Sequence, residues 1–83
     1  MTLTDFLKLL REQDGIVVQF SHLGYIIRRN GVVLDMDGRH QPIRANTPYE
    51  RTRKVGNMYR AIASACQYCS DDLRGVVGDL MAC

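Results

Sequence analysis

Apolar residues recur along this chain in blocks whose spacing changes from helical to alternating and back. Leu3, Phe6, Leu7 and Leu10 stand at i, i+3, i+4 and i+7, one face of a helix. Thr2 before them and Asp5 three residues later form a capping-box pattern, and Asp14-Gly15 supplies a helix stop. Ile16, Val18 and Phe20 then alternate with Val17 and Gln19, as a strand buried on one face does. The loop Ser21-His22-Leu23-Gly24 leads into a second strand, Tyr25 to Arg29. Asn30-Gly31 follows, the pair that a tight type I′ hairpin turn favours because both central residues take positive φ.

That turn sets a register with Ile27 opposite Leu34 and Tyr25 opposite Met36. These four residues, with Ile16, Val18 and Phe20, form the expected core face. Val17, Ile26 and Val33 then face outward beside Gln19 and Arg28, and Asp35 lies outward as a diagonal neighbour of Arg28. Asp37-Gly38 reads as a second turn that folds Arg39–Ile43 back as an edge strand, with Pro42 restricting it to an edge.

Thr47-Pro48-Tyr49-Glu50 announces a second helix: a cap, a proline at the first position and an acid to close the box. Val55, Met58, Tyr59, Ile62, Cys66 and Cys69 keep helical period through it, with a weak point for a bend at Gly56-Asn57. Ser70, Asp71 and Asp72 open a third helix carrying Leu73, Val76, Val77 and Leu80. The expected fold is α+β: an antiparallel sheet of two to three strands against three helices, in the order α-β-β-β-α-α.

Length makes residues 1–83 a single domain with one core. At 46% hydrophobic and 24% charged, the composition is that of a globular chain. No apolar run reaches the roughly 18–20 residues of a membrane span. The first helix carries Asp5, Lys8, Arg11, Glu12 and Asp14, which no secretory leader would, and neither lipidation signature is present. Three cysteines without a leader fit a reducing compartment, so the expected location is cytoplasmic.

The net charge of +2 is unevenly spread. Residues 28–60 hold eight basic and three acidic side chains, whereas residues 61–83 hold one and three. Arg51, Arg53 and Lys54 fall in the first turns of the second helix, where the macrodipole already presents positive charge, so folding alone would favour acids there. With Tyr49, and with Arg28, Arg29, Arg39 and Arg44 if the fold gathers them, they form the candidate partner-binding set. Tyr25, Tyr59 and Tyr68 are further candidate anchors.

Candidate chemistry is sparse. Cys66-Gln67-Tyr68-Cys69 has C-x-x-C spacing, with Cys83, His22 and His40 as further conceivable zinc ligands. Placed within a helix on its apolar face, the two thiols read better as small buried hydrophobes. Neither His22 nor His40 has an acid or nucleophile at relay spacing. Gly75 and Gly78 suggest close packing of the third helix against the small stripe Ala61, Ser64, Ala65. No metal, cofactor or catalytic residue is therefore expected.

The order of elements resembles, in architecture alone, small phage-encoded inhibitors of host defence proteins. The resemblance implies a viral inhibitor or adaptor that docks on a host protein. The expectation is a non-enzymatic module that binds a protein with an acidic surface. A nucleic-acid binder using the same basic cluster is the alternative, and self-association is a further expectation.

Overall fold

The structure is a computed structural model that describes residues 2–39 and 43–81. It has three helices and a three-stranded antiparallel sheet: α1 (Leu3–Asp14), β1 (Ile16–Ser21), β2 (Gly24–Arg29), β3 (Val32–Gly38), α2 (Pro48–Ala65) and α3 (Asp71–Met81). The α-β-β-β-α-α order is the expected one.

Local chemistry sets the boundaries. The Thr2–Asp5 capping box forms in both directions, and Gly15 ends α1 in the left-handed conformation at φ 66°. Asn30 and Gly31, at φ 50° and 84°, make the tight β2–β3 turn. Thr47 accepts from the Glu50 N–H at 3.1 Å, and Pro48 occupies the first helical position of α2. The Glu50 carboxylate, expected to complete that box, instead meets His22 Nε2 at 3.1 Å.

The strands run in the order β1-β2-β3. Phe6 and Leu10 of α1, Ile16, Tyr25 and Ile27 of the sheet, Ala61, Ile62 and Ala65 of α2, and Leu73 and Val77 of α3 form the core. All of them lie on one face of the sheet or on the helices covering it. The shortest dimension, 17 Å, fits one sheet covered by one layer of helices.

The sheet departs from the expected register at one residue. Arg29 pairs with Val32 and Arg28 with Val33, but Ile27 then pairs with Asp35, Ile26 with Met36 and Tyr25 with Asp37. Leu34 is the extra residue of a β-bulge. Past a bulge the alternation of faces is reset, so every later side chain changes sides. Met36, expected in the core, is therefore half exposed on the outer face. Asp35, expected outside beside Arg28, turns to the helices.

Other expectations also change. Asp37-Gly38 is the end of β3 rather than a turn, and Gly38 pairs with Gly24. Arg39 and Ile43 lie in no strand, and residues 40–42, with His40 and Pro42, lie outside the described residues. Helix α2 runs continuously through Gly56-Asn57, and the buried Asn57 amide donates to the Ser21 carbonyl at 2.8 Å and ties the helix to β1. Helix α2 ends at Ala65, so Cys66 and Cys69 occupy the turn before α3, not a helix interior.

Candidate partner-binding surface

The first turns of α2 present Tyr49, Arg51 and Arg53 to solvent, with Lys54 half buried. Tyr49 is 68% exposed. Arg53, one turn later, donates from Nη1 to the Tyr49 hydroxyl at 3.1 Å, and its guanidinium sits 5.8 Å from the ring centroid. This spacing allows both a hydrogen bond and a cation–π contact, which hold two long side chains in one arrangement. Val55 and Tyr59 continue the exposed face of the helix.

The fold brings part of the expected set to this end of the molecule. Arg39 is anchored through its backbone, donating to the Leu23 carbonyl at 3.0 Å while its own carbonyl accepts from Ser21 Oγ. The turn between β1 and β2 is joined to α2 by the His22–Glu50 pair, so Arg39 emerges near the helix start. Arg44 is exposed three residues before Thr47. His22 is thus mostly buried rather than a free loop side chain, and its Nδ1 has no hydrogen-bond partner among the described residues.

Arg28 and Arg29 go elsewhere. Arg29 points to the helix side and donates to the Tyr68 carbonyl, beyond the far end of α2. An 18-residue helix is about 27 Å long, so Arg29 does not join the cluster at its start. Arg28 lies on the outer sheet face and donates to Gln19 Oε1, not to Asp35.

That outer face is the second expected contact area. Val17, Val33 and Met36 are exposed there around Ile26, which is 2% exposed yet lies outside the core cluster. The helices that pack on the sheet cover its opposite face, so the basic helix start and the outer sheet face belong to different layers of the fold.

A third feature was not visible in the sequence. Between β2, β3 and α2 lies an open cleft of about 400 Å³ lined by Tyr25, Asp35, Arg60, Ala63, Ser64, Gln67 and Tyr68. The Tyr25 hydroxyl donates to Asp35 Oδ2 at 3.0 Å, and Ser64 Oγ donates to the same oxygen. The Ser64 and Tyr25 hydrogen bonds hold the Asp35 carboxyl below its ordinary range, in that order of weight. Burial first, and the hydrogen bond to Asp35 second, push the Tyr25 phenol above its own.

Arg60 stands at the cleft rim. It pairs with Asp37, donates to Asn57 Oδ1 at 3.3 Å and lies 5.6 Å over the Tyr25 ring. Tyr68 donates to the Leu34 carbonyl at 3.4 Å, closing the far side. Tyr25 and Tyr68 are thus committed to this polar interface, whereas Tyr49 and Tyr59 stay exposed.

The cysteines give no constellation of comparable definition. Cys69 is buried in the core, and its Sγ contacts the Cys66 carbonyl at 3.6 Å. Burial, followed by the neighbouring Cys69, pushes the Cys66 thiol above its ordinary range, away from the reactive thiolate. Among the described residues no group of three or more His, Cys, Asp or Glu side chains converges; Cys83 lies outside them. A Cβ added at Gly75 or Gly78 would meet nothing within 4 Å, so these glycines do not serve the close helix packing expected of them. No described helix is long and apolar enough to cross a membrane. No family model, curated protein or solved structure matches the chain.

Proposed function

We propose that this chain is a non-catalytic binding module that docks on the acidic surface of a protein partner through the outward face of α2. The observation that carries the reading is the exposed Tyr49–Arg53 pair at the positive end of the helix dipole, with Arg51 and Lys54 in the same first turns. Cations there oppose helix stability by a few tenths of a kcal/mol each, up to about 1 kcal/mol. Tyr and Arg are the residue types that most often dominate binding energy, and a pre-ordered pair loses less entropy on docking. Arg39 and Arg44 extend the positive rim. An inhibitor or adaptor that competes with a nucleic-acid-binding surface for its acidic protein partner is the role that best uses such a face.

The test is cross-linking in the source cell, comparing the native chain with Arg51→Glu/Arg53→Glu/Lys54→Glu and with Lys8→Glu on α1 as control. Loss of a cross-linked partner in the triple variant alone supports the proposal. Retention of the partner in the triple variant overturns it.

The exposed cations of the same helix start favour a second reading, direct binding to nucleic-acid phosphates. The low net charge weighs against it. Titration with random duplex and single strands near 50 mM salt separates the two, because about three to five phosphate contacts would be measurable there and would fall steeply with salt.

A further inference from the structure

We propose that the cleft between α2 and the bulged end of β3 takes a guanidinium or ammonium group, with Asp35 as its counter-charge and Tyr68 as its aromatic wall. This inference does not rest on the reading of the α2 start. It begins with a charge that the fold leaves uncompensated. Asp35 is half buried and lines the cleft, yet its donors are all neutral: the Tyr25 and Ser64 hydroxyls, both on Oδ2, and the Met36 backbone N–H. No cation lies within ion-pair distance of it among the described residues: His22 pairs with Glu50, Arg60 with Asp37 and Arg74 with Asp71.

Arg60 is the obvious internal candidate, and its geometry directs it elsewhere. It is held by Asp37 and Asn57 and stacked on Tyr25, so it walls the cleft without neutralising Asp35. The two hydroxyls fix the carboxylate and leave Oδ1 unused by either of them. A planar guanidinium takes a carboxylate oxygen at its edge while its face lies on an aromatic ring, which is the combination Asp35 and Tyr68 offer. The Gln67 amide at the exposed rim supplies an acceptor for a further N–H. The volume of about 400 Å³ suits a side-chain-sized group.

Such a group has two sources, a free small amine or guanidine and an arginine or lysine side chain of a protein. Amide chemical shifts of the labelled chain, titrated with butylguanidinium and with its neutral isostere butylurea, test the chemistry. A short blocked peptide, glycine-arginine-glycine, tests the source. The expected result is saturable shifts at Tyr25, Asp35, Ser64, Gln67 and Tyr68 with butylguanidinium and none with butylurea. Asp35→Asn should weaken binding about tenfold or more. Gln67→Lys, at an exposed position that cannot unfold the core, should weaken it by charge repulsion. Tighter binding of the peptide than of butylguanidinium assigns the site to a partner's side chain, and the reverse assigns it to a free small molecule. The absence of saturable shifts up to about 10 mM butylguanidinium, equal response to butylurea, or binding unchanged by Gln67→Lys overturns the proposal. Charge reversal at Arg51 and Arg53 leaves this binding intact, so the cleft and the helix start fail or stand separately.

Discussion

Ser64 on α2 donates its hydroxyl to the carboxylate of Asp35 on β3, a bond that exists because the bulge at Leu34 turns Asp35 toward the helices. Strand and helix are thereby joined by a charge-assisted hydrogen bond at the point where the sheet register slips. The Tyr25 hydroxyl reaches the same oxygen from β2, so three elements meet on one carboxylate.

This junction gives the fold a dependence on pH with a definite sign. The Asp35 carboxyl titrates below its unfolded value, so its contribution is present above the ordinary carboxylate range and is lost as pH falls through the folded value. Tyr25 is shifted the other way: its contribution is complete below the unfolded phenol value and is lost as pH rises through the raised one. Ser64→Ala should cost about 1 kcal/mol near neutral pH and flatten the acid limb of unfolding, because the Asp35 carboxyl then titrates closer to its unfolded value. Urea melts of the native chain and Ser64→Ala from acid to neutral pH measure both effects; parallel curves would remove Asp35 from the acid limb.

Gly24 and Gly38 face each other where β2 meets the end of β3, and neither position has room for a side chain. A Cβ at Gly24 would lie 2.0 Å from the Asp37 carbonyl oxygen, at φ +155°, whereas one at Gly31 would meet nothing within 4 Å. Gly24→Ala is therefore expected to destabilise by at least about 3 kcal/mol. Gly31→Ala, which bears only the penalty of its positive φ, should cost about 1 kcal/mol. Chemical denaturation of the two variants ranks them, and equal losses would contradict the close approach.

The exposed glycines of α3 lead to the opposite expectation. With open space at both positions, Gly75→Ala and Gly78→Ala each remove backbone freedom from the unfolded chain without a clash. Each should stabilise by about 0.5–1 kcal/mol, or roughly 4–8 °C in melting temperature per kcal/mol. Calorimetry of the single and double variants checks the size and additivity. A loss of stability would mean that a neighbour approaches these glycines.

At the start of α2, stability and binding should respond in opposite senses. Arg51→Glu replaces an exposed cation near the positive end of the dipole with an anion, and is expected to stabilise by about 0.3–1 kcal/mol. Arg53→Glu also removes the contact with Tyr49, which reduces its gain. Thermal melts at low salt measure the effect, and screening at high salt should erase it.

Local chemistry carried most of the architecture. The spacing of Leu3, Phe6, Leu7 and Leu10, the Thr2–Asp5 box, the Asn30-Gly31 turn and the Thr47-Pro48 start each act within a few residues, so the elements and their order were legible in the chain, whereas the ends of β3 and α2 were not. The inner positions of β1 and of α1 followed from period alone. The Tyr49–Arg53 contact, at i and i+4, is of the same local kind.

Long-range geometry decided the rest. One extra residue at Leu34 moved Asp35 inward and Met36 outward, and no pattern in the strand marks it, because a bulge is selected by how the whole sheet seats on the helices. The pairing of His22 with Glu50, of Asn57 with the Ser21 carbonyl and of Arg29 with the Tyr68 carbonyl joins residues too far apart in the chain for any spacing rule. The eight basic residues of the middle segment share a stretch of sequence, but a strand sends Arg28 and Arg29 to opposite faces and a helix carries Arg60 away from Arg51. Charge along a chain adds up by proximity in sequence; charge on a surface adds up only where the packing brings it, and here the packing separated one basic stretch and set the Asp35 carboxylate in a cleft beside Arg60.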